Sequence, residues 1–144
     1  MEIEIREIQV EDAPDIAALS AAEFGYRGTD DETALLIRDI SSKGHYKMFA
    51  ALSDGKVIGW IQCMETYRLE AGVYSEITGL VVKKEYRREG AGGKLIEYVR
   101  HLYKDDKVPK LTVRCNTKRR GAHKFYLGQH FKVEKHQKIF SMPL

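Results

Sequence analysis

Apolar and polar positions along the chain switch period several times, and each switch marks an element. Ile3, Ile5 and Ile8, set between charged residues, predict a first strand of period two with a slip at its end. Asp12-Ala13-Pro14 reads as a helix start, with Asp12 as cap and proline in the first turn. Ile16, Ala17, Leu19, Ser20 and Phe24 follow at helical spacing until Gly25-Tyr26-Arg27-Gly28-Thr29 breaks it. Asp30 or Asp31 opens a second helix through Leu35, Leu36 and Ile40, ending near Lys43-Gly44. Residues 46–52 and 57–64 are strand-like, joined by the hairpin turn Ser53-Asp54-Gly55-Lys56. A polar loop over 68–72 precedes a strong strand at 74–82. Residues 90–105 are helical, with Leu95, Ile96, Val99 and Leu102 on one face. A strand at 110–115, a short helix at 122–127, and strands at 131–133 and 138–142 complete the chain. The order β-α-α-β-β-β-α-β-α-β-β describes a mixed α/β sheet with helices on its faces.

The 144 residues carry no Pro/Gly/Ser-rich linker and no repeat, which predicts one domain over 1–144. No apolar run reaches the roughly 20 residues that a membrane helix needs. The N-terminal residues lack a basic region followed by a long apolar stretch, so no secretory signal is expected. Cys63 and Cys115 are too few for a disulfide scaffold, and a cytoplasmic setting with reduced thiols is the expectation. The five histidines show no metal-ligand spacing with those cysteines, so no metal is expected.

Charge changes the picture. Residues 1–82 hold 7 Lys+Arg against 15 Asp+Glu, a net −8, whereas residues 83–144 hold 17 against 6, a net +11. An acidic front and a basic back suggest that the back half meets an anion: nucleic acid, an anionic membrane or a phosphorylated small molecule.

The segment from Gly79 to Leu95 narrows that choice. An apolar strand ends in a basic, glycine-rich turn, Arg87-Arg88-Glu89-Gly90-Ala91-Gly92-Gly93-Lys94, and a helix opens directly after it. Three glycines in four residues let backbone N–H groups approach a ligand closely, and the free N–H groups and dipole of the helix start add positive potential. Such a turn suits a phosphate or pyrophosphate. It is neither a Walker A loop nor a dinucleotide fingerprint, whose spacings it lacks.

Arg87-x-x-Gly90-x-Gly92 resembles the Arg/Gln-x-x-Gly-x-Gly/Ala signature for acetyl-CoA in the GCN5-related N-acetyltransferases. Residues 77–82 resemble the strand that leads into that signature, and residues 50–60 the family's central hairpin. Asn116, Ala122-His123-Lys124-Phe125-Tyr126 and Gly128-Gln129-His130-Phe131 resemble its Asn…Ala-x-x-Phe-Tyr-x-x-x-Gly-Phe segment. One departure stands there: Gln129-His130 separates Gly128 from Phe131.

The resemblance implies a mostly antiparallel sheet splayed at its fourth strand, with the pantetheine arm of acetyl-CoA in the gap. It implies that backbone groups of Leu80, Val81 and Val82 pair with pantetheine, that N–H groups from Arg88 to Lys94 hold the pyrophosphate, and that Asn116 bonds the arm. It implies direct attack of an amine on the thioester carbonyl through a tetrahedral oxyanion, with Tyr126 as proton donor to the departing thiolate. A phenol pKa of about 10 is near that of a thiol leaving group. Glu76, two and four residues before Thr78 and Leu80 on one strand face, is either a base acting through water or an exposed carboxylate. The run Lys118-Arg119-Arg120 either grips the adenosine 3′-phosphate or is a solvated helix start. Phe24 and Tyr26, in the loop between the first two helices, are the candidate acceptor contacts, beside Glu23 and Asp30-Asp31-Glu32. The expected partner is a small-molecule or peptide amine, with no nucleic acid and no membrane. A homodimer is a tendency of the family. A non-catalytic sensor of acetyl-CoA and a nucleic-acid module remain the competing readings.

Overall fold

Residues 2–144 are described in a computed structural model of the chain. Five strands form one sheet in the order β1 (Glu4–Glu7), β2 (Tyr46–Ser53), β3 (Lys56–Arg68), β4 (Gly72–Val82) and β5 (Leu111–Val113). Neighbours are antiparallel except β4 and β5, which run parallel. Between β1 and β2 come α1 (Ala13–Phe24) and α2 (Asp30–Ser41). Between β4 and β5 comes α3 (Ala91–Asp105), a crossover of the kind that a parallel pair requires. The chain groups into two units, one up to Arg114 and one from Cys115 onward.

Register fixes which side chains share a face, because directly opposed residues point the same way. Phe49, Ile61, Cys63 and Ile77 lie on one face, and Phe49 meets Tyr98 of α3 with ring centroids 4.8 Å apart. The buried stripe of α3 is Leu95, Ile96, Val99 and Tyr103, at the spacing that its sequence displays. The other face carries Ala50, Trp60 and Val81 and packs with Ile16 and Leu19 of α1 and Ile37 of α2. Burying both faces of the central strands explains their apolar runs.

One local expectation changes in this part of the chain, and the start of α2 at Asp30 stands. Asp12 does not cap α1: it has helical dihedrals and makes no capping bond there. Its carboxylate instead accepts two bonds from the Arg6 guanidinium, at 2.8 and 2.9 Å, and the Gln9 N–H at 2.7 Å. Burial pushes this carboxyl up, but those bonds outweigh it and hold the pKa below the ordinary 3.8. The cap of α2 is Thr29, whose hydroxyl accepts from the Glu32 N–H at 3.0 Å, and so α2 starts at Asp30.

The unit from Cys115 holds α4 (Arg120–Gly128) and no strand among its described residues. The strands expected at 131–133 and 138–142 are absent. Alternation shows that a segment suits a sheet, but a strand exists only where a neighbour supplies ladder hydrogen bonds, and no described strand pairs with these residues. Ile139, Phe140 and Met142 are exposed.

Candidate functional site

β4 is the spine of the site. It pairs with β3 over its whole length but with β5 only at Ser75, Glu76 and Ile77. From Thr78 to Val82 the edge on the β5 side has no described strand against it. Buried or half-buried backbone groups on such an edge need partners from elsewhere.

A register shift falls at the same place. Ile77 opposes Cys63 and Gly79 opposes Gln62, which leaves Thr78 as an extra residue in β4. Its hydroxyl donates to the Gln62 carbonyl at 3.3 Å. Such a bulge flips the alternation beyond it. Glu76 therefore lies on the face of Met64 and α1, while Leu80, opposite Ile61, lies on the face of α3. The expectation that Glu76 and Leu80 share a face is corrected, and the uninterrupted count of two that produced it is the reason. Val81 returns to the α1 face, fully buried, opposite Trp60. Gly79 sits under that indole: a Cβ there would come within 2.7 Å of Trp60.

Beyond Val82 the chain turns through a short 3₁₀ helix, Lys84–Glu89, tied by Lys83 N–H to the Ile58 carbonyl at 2.7 Å. Gly90 then takes the left-handed conformation, φ 83°, that lets α3 begin. The Lys94 N–H bonds the Gly90 carbonyl at 3.0 Å as the first turn closes. The N–H groups of Ala91, Gly92 and Gly93 precede that closure and have no carbonyl four residues back within the helix. No side chain caps this terminus, and no acidic residue lies in its first turn. The positive end of the dipole is left to an anion. Arg88, Glu89 and Lys94 are exposed around it.

Arg87 is committed elsewhere. Its Nε donates to the Val82 carbonyl at 3.2 Å, and its Nη2 pairs with the Glu23 carboxylate. This ties the end of α1, where Phe24 is half exposed, to the end of β4. The Tyr26 hydroxyl meets Thr33 Oγ1 at 3.2 Å, which holds the candidate acceptor loop to α2.

Glu76 is not a solitary carboxylate. Arg114, just past β5, donates from Nε to Glu76 Oε1 at 2.8 Å. The hydrogen bond and charge of Glu76, and the nearby Tyr74 phenol, raise the Arg114 pKa further. Pairing of Glu76 with Thr112 places Arg114, two residues on, along the same face. Sequence reasoning passed over Arg114 because only the β4–β5 register brings it to Glu76.

In the second unit, Asn116 Oδ1 accepts the Lys118 N–H at 2.9 Å, and the Asn116 carbonyl lies 2.9 Å from His123 Nε2. Tyr126 packs edge-on against Phe125 and Phe131, with centroids 5.2 and 5.6 Å away. The Phe131 N–H returns to the Tyr126 carbonyl at 3.1 Å. His130 has φ 71°, so it occupies the left-handed turn position directly before the phenylalanine. The departure noted at Gln129-His130 is thereby explained: histidine stands in a glycine conformation.

Three comparisons place the chain among known proteins. The Acetyltransferase (GNAT) family description matches residues 5–131. An aminoalkylphosphonate N-acetyltransferase of Salmonella typhimurium is 29% identical over 134 residues, covering 90% of this chain and 84% of that one. A solved structure described as a transcriptional regulator from Bacillus halodurans superposes with a TM-score of 0.89 at 17% identity, covering 98% of this chain and 100% of that one. The aminoglycoside N-acetyltransferase AAC(6′)-Iy, in complex with the bisubstrate analogue CoA-S-monomethyl-acetylneamine, superposes with a TM-score of 0.85 at 16% identity, covering 100% of both chains. At these identities the two structures speak for the fold.

Proposed function

Because the chain belongs to the acetyltransferase (GNAT) family, whose members use acetyl-CoA, we propose that it transfers the acetyl group to a primary amine of a small molecule or peptide. The observation that carries this reading is the continuity of an open strand edge and an uncapped helix start. The open edge of β4 from Thr78 to Val82 runs through one turn into the uncapped start of α3. Amide groups suit the first surface and a pyrophosphate suits the second, and pantetheine and pyrophosphate are joined in that order in CoA.

Acetyl-CoA supplies an activated acyl carbon and a thiolate leaving group. Backbone groups of Leu80 and Val81 and the N–H of Val82, whose carbonyl Arg87 already holds, orient the arm, and the N–H groups from Arg88 to Gly93 receive the pyrophosphate. The Arg88 and Lys94 side chains add positive charge. Asn116 offers its amide nitrogen to the arm, since its oxygen is already bonded. Tyr126 holds the proton that the leaving sulfur takes. Glu76 attracts the ammonium form of the acceptor and removes its proton through water. Phe24 and Tyr26 border the acceptor.

Relatives bear names for aminoalkylphosphonate and aminoglycoside acetylation, so both classes belong in the test panel. Thermal unfolding with acetyl-CoA and thiol release across that panel test the reading. Stabilisation by acetyl-CoA together with thiol release that needs an amine is expected. Absence of both overturns the reading.

A further inference from the structure

Below the bulge, the α1 face of the sheet leaves a cationic surface that the acetyl-CoA surfaces do not use. Arg68, Tyr74 and Glu76 share that face by register. The Arg68 guanidinium and the Lys110 ammonium lie 5.9 and 5.1 Å from the Tyr74 ring centroid. Arg114 reaches Glu76 from the other side. Part of the basic excess beyond residue 83 is therefore gathered around one tyrosine and one carboxylate.

The Glu76–Arg114 contact uses one nitrogen of the guanidinium. A guanidinium facing a carboxylate commonly engages it through two parallel bonds. Here Nε alone meets Glu76. The edge formed by the terminal nitrogens is not consumed by that carboxylate, and the Arg114 side chain is 52% exposed while that of Glu76 is 14% exposed. The pair thus presents a carboxylate and, beside it, a half-exposed guanidinium that also meets the Tyr74 hydroxyl.

We propose that this pair selects the acceptor: Arg114 receives an anionic group, phosphonate or carboxylate, carried by an amine whose ammonium meets Glu76. The Tyr74 hydroxyl is a second donor to the same anion. The acceptor class is a short zwitterion whose two charges lie antiparallel to those of the protein pair. This inference rests on the acetyltransferase reading above for its place in a reaction, but not for its binding test.

The test is calorimetric titration of the CoA-loaded protein with 2-aminoethylphosphonate, β-alanine and n-propylamine. The phosphonate is expected to bind at least tenfold more tightly than n-propylamine, with β-alanine between them. Arg114→Gln is expected to remove most of that preference while n-propylamine binds as before. Tyr74→Phe keeps the ring between its cations and is expected to weaken the phosphonate severalfold, which covers the case that Arg114→Gln fails to fold. Equal binding of all three amines by the wild type overturns the inference, as does an equal loss for all three in both variants. Thiol release read on parallel samples supplied with acetyl-CoA separates the two proposals. Binding of the zwitterion without release overturns acetyl transfer and sustains the selection. Release from all three amines without preference overturns the selection alone.

Discussion

Replacing Arg87 with alanine separates two roles for one guanidinium. Its sequence position, at the head of a basic turn, casts it as a phosphate ligand. Its geometry casts it as a strut, donating to the Val82 carbonyl at 3.2 Å and pairing with Glu23. The strut has a calculable worth. The ion pair is partly exposed, 46% on the arginine and 25% on the glutamate, so it contributes about 0.2–1 kcal/mol. The hydrogen bond to Val82 contributes about 0.5–1.5 kcal/mol. Together they reach about 1–2 kcal/mol, a fall in Tm of roughly 2–8 °C for a domain of this size. Thermal unfolding of Arg87→Ala, Glu23→Gln and the double variant forms a cycle. The ion pair predicts that the double variant loses less than the sum of the singles. Titration with acetyl-CoA completes the assay, with Kd expected to change less than threefold. A tenfold rise in Kd with an unchanged Tm would refute the strut and return Arg87 to the phosphates.

Asp12→Asn removes the carboxylate that holds Arg6 and Gln9, and denaturation at pH 6 is expected to show a loss of about 1.5–3 kcal/mol. Because the folded pKa of Asp12 lies below the unfolded 3.8, its contribution is complete above about pH 4 and is lost as pH falls through the folded value. The wild type's advantage over the variant should therefore shrink as pH falls below 3.8, and an advantage that stays constant as pH falls would count against the assignment. His130→Gly relaxes the left-handed turn and is expected to raise stability by up to about 1 kcal/mol, against which a lower Tm would stand. Burial pushes the Cys63 thiol up to about 12, so the native protein at pH 8 should expose one reactive thiol, Cys115, and two after denaturation. Two rapidly titrating thiols in the native state would contradict this.

Local pattern carried the helices and the first five strands because their periods are written in consecutive residues. The stripe Leu95, Ile96, Val99 announced α3, and Ser53-Asp54-Gly55-Lys56 announced the β2–β3 hairpin. The glycine-rich turn was legible for a similar reason: its backbone chemistry belongs to adjacent residues. What stayed hidden depends on partners far away in the chain. Thr78 looks like any strand residue until Cys63 and Gln62 are set beside it. Arg114 acquires a role only when β5 pairs in register with β4. The alternation after Phe131 promised strands that no neighbour completes. Asp12 reads as a helix cap until Arg6, six residues earlier, claims its carboxylate.

The extra residue at Thr78 also limits how this chain can change in length. Every position from Gly79 to the turn at Gly90 is phased by that one insertion. Deleting Thr78 itself would leave an unbroken strand in which Gly79 still opposes Gln62 and Leu80 still opposes Ile61. A second deletion between Glu76 and Val82 would find no bulge left to absorb it: Val81 would leave the core under α1, and Leu80 would leave the face of α3. The stretch can therefore lose one residue and no more, whereas the β3–β4 turn at Leu69–Ala71 lies outside both strands and bears no such constraint.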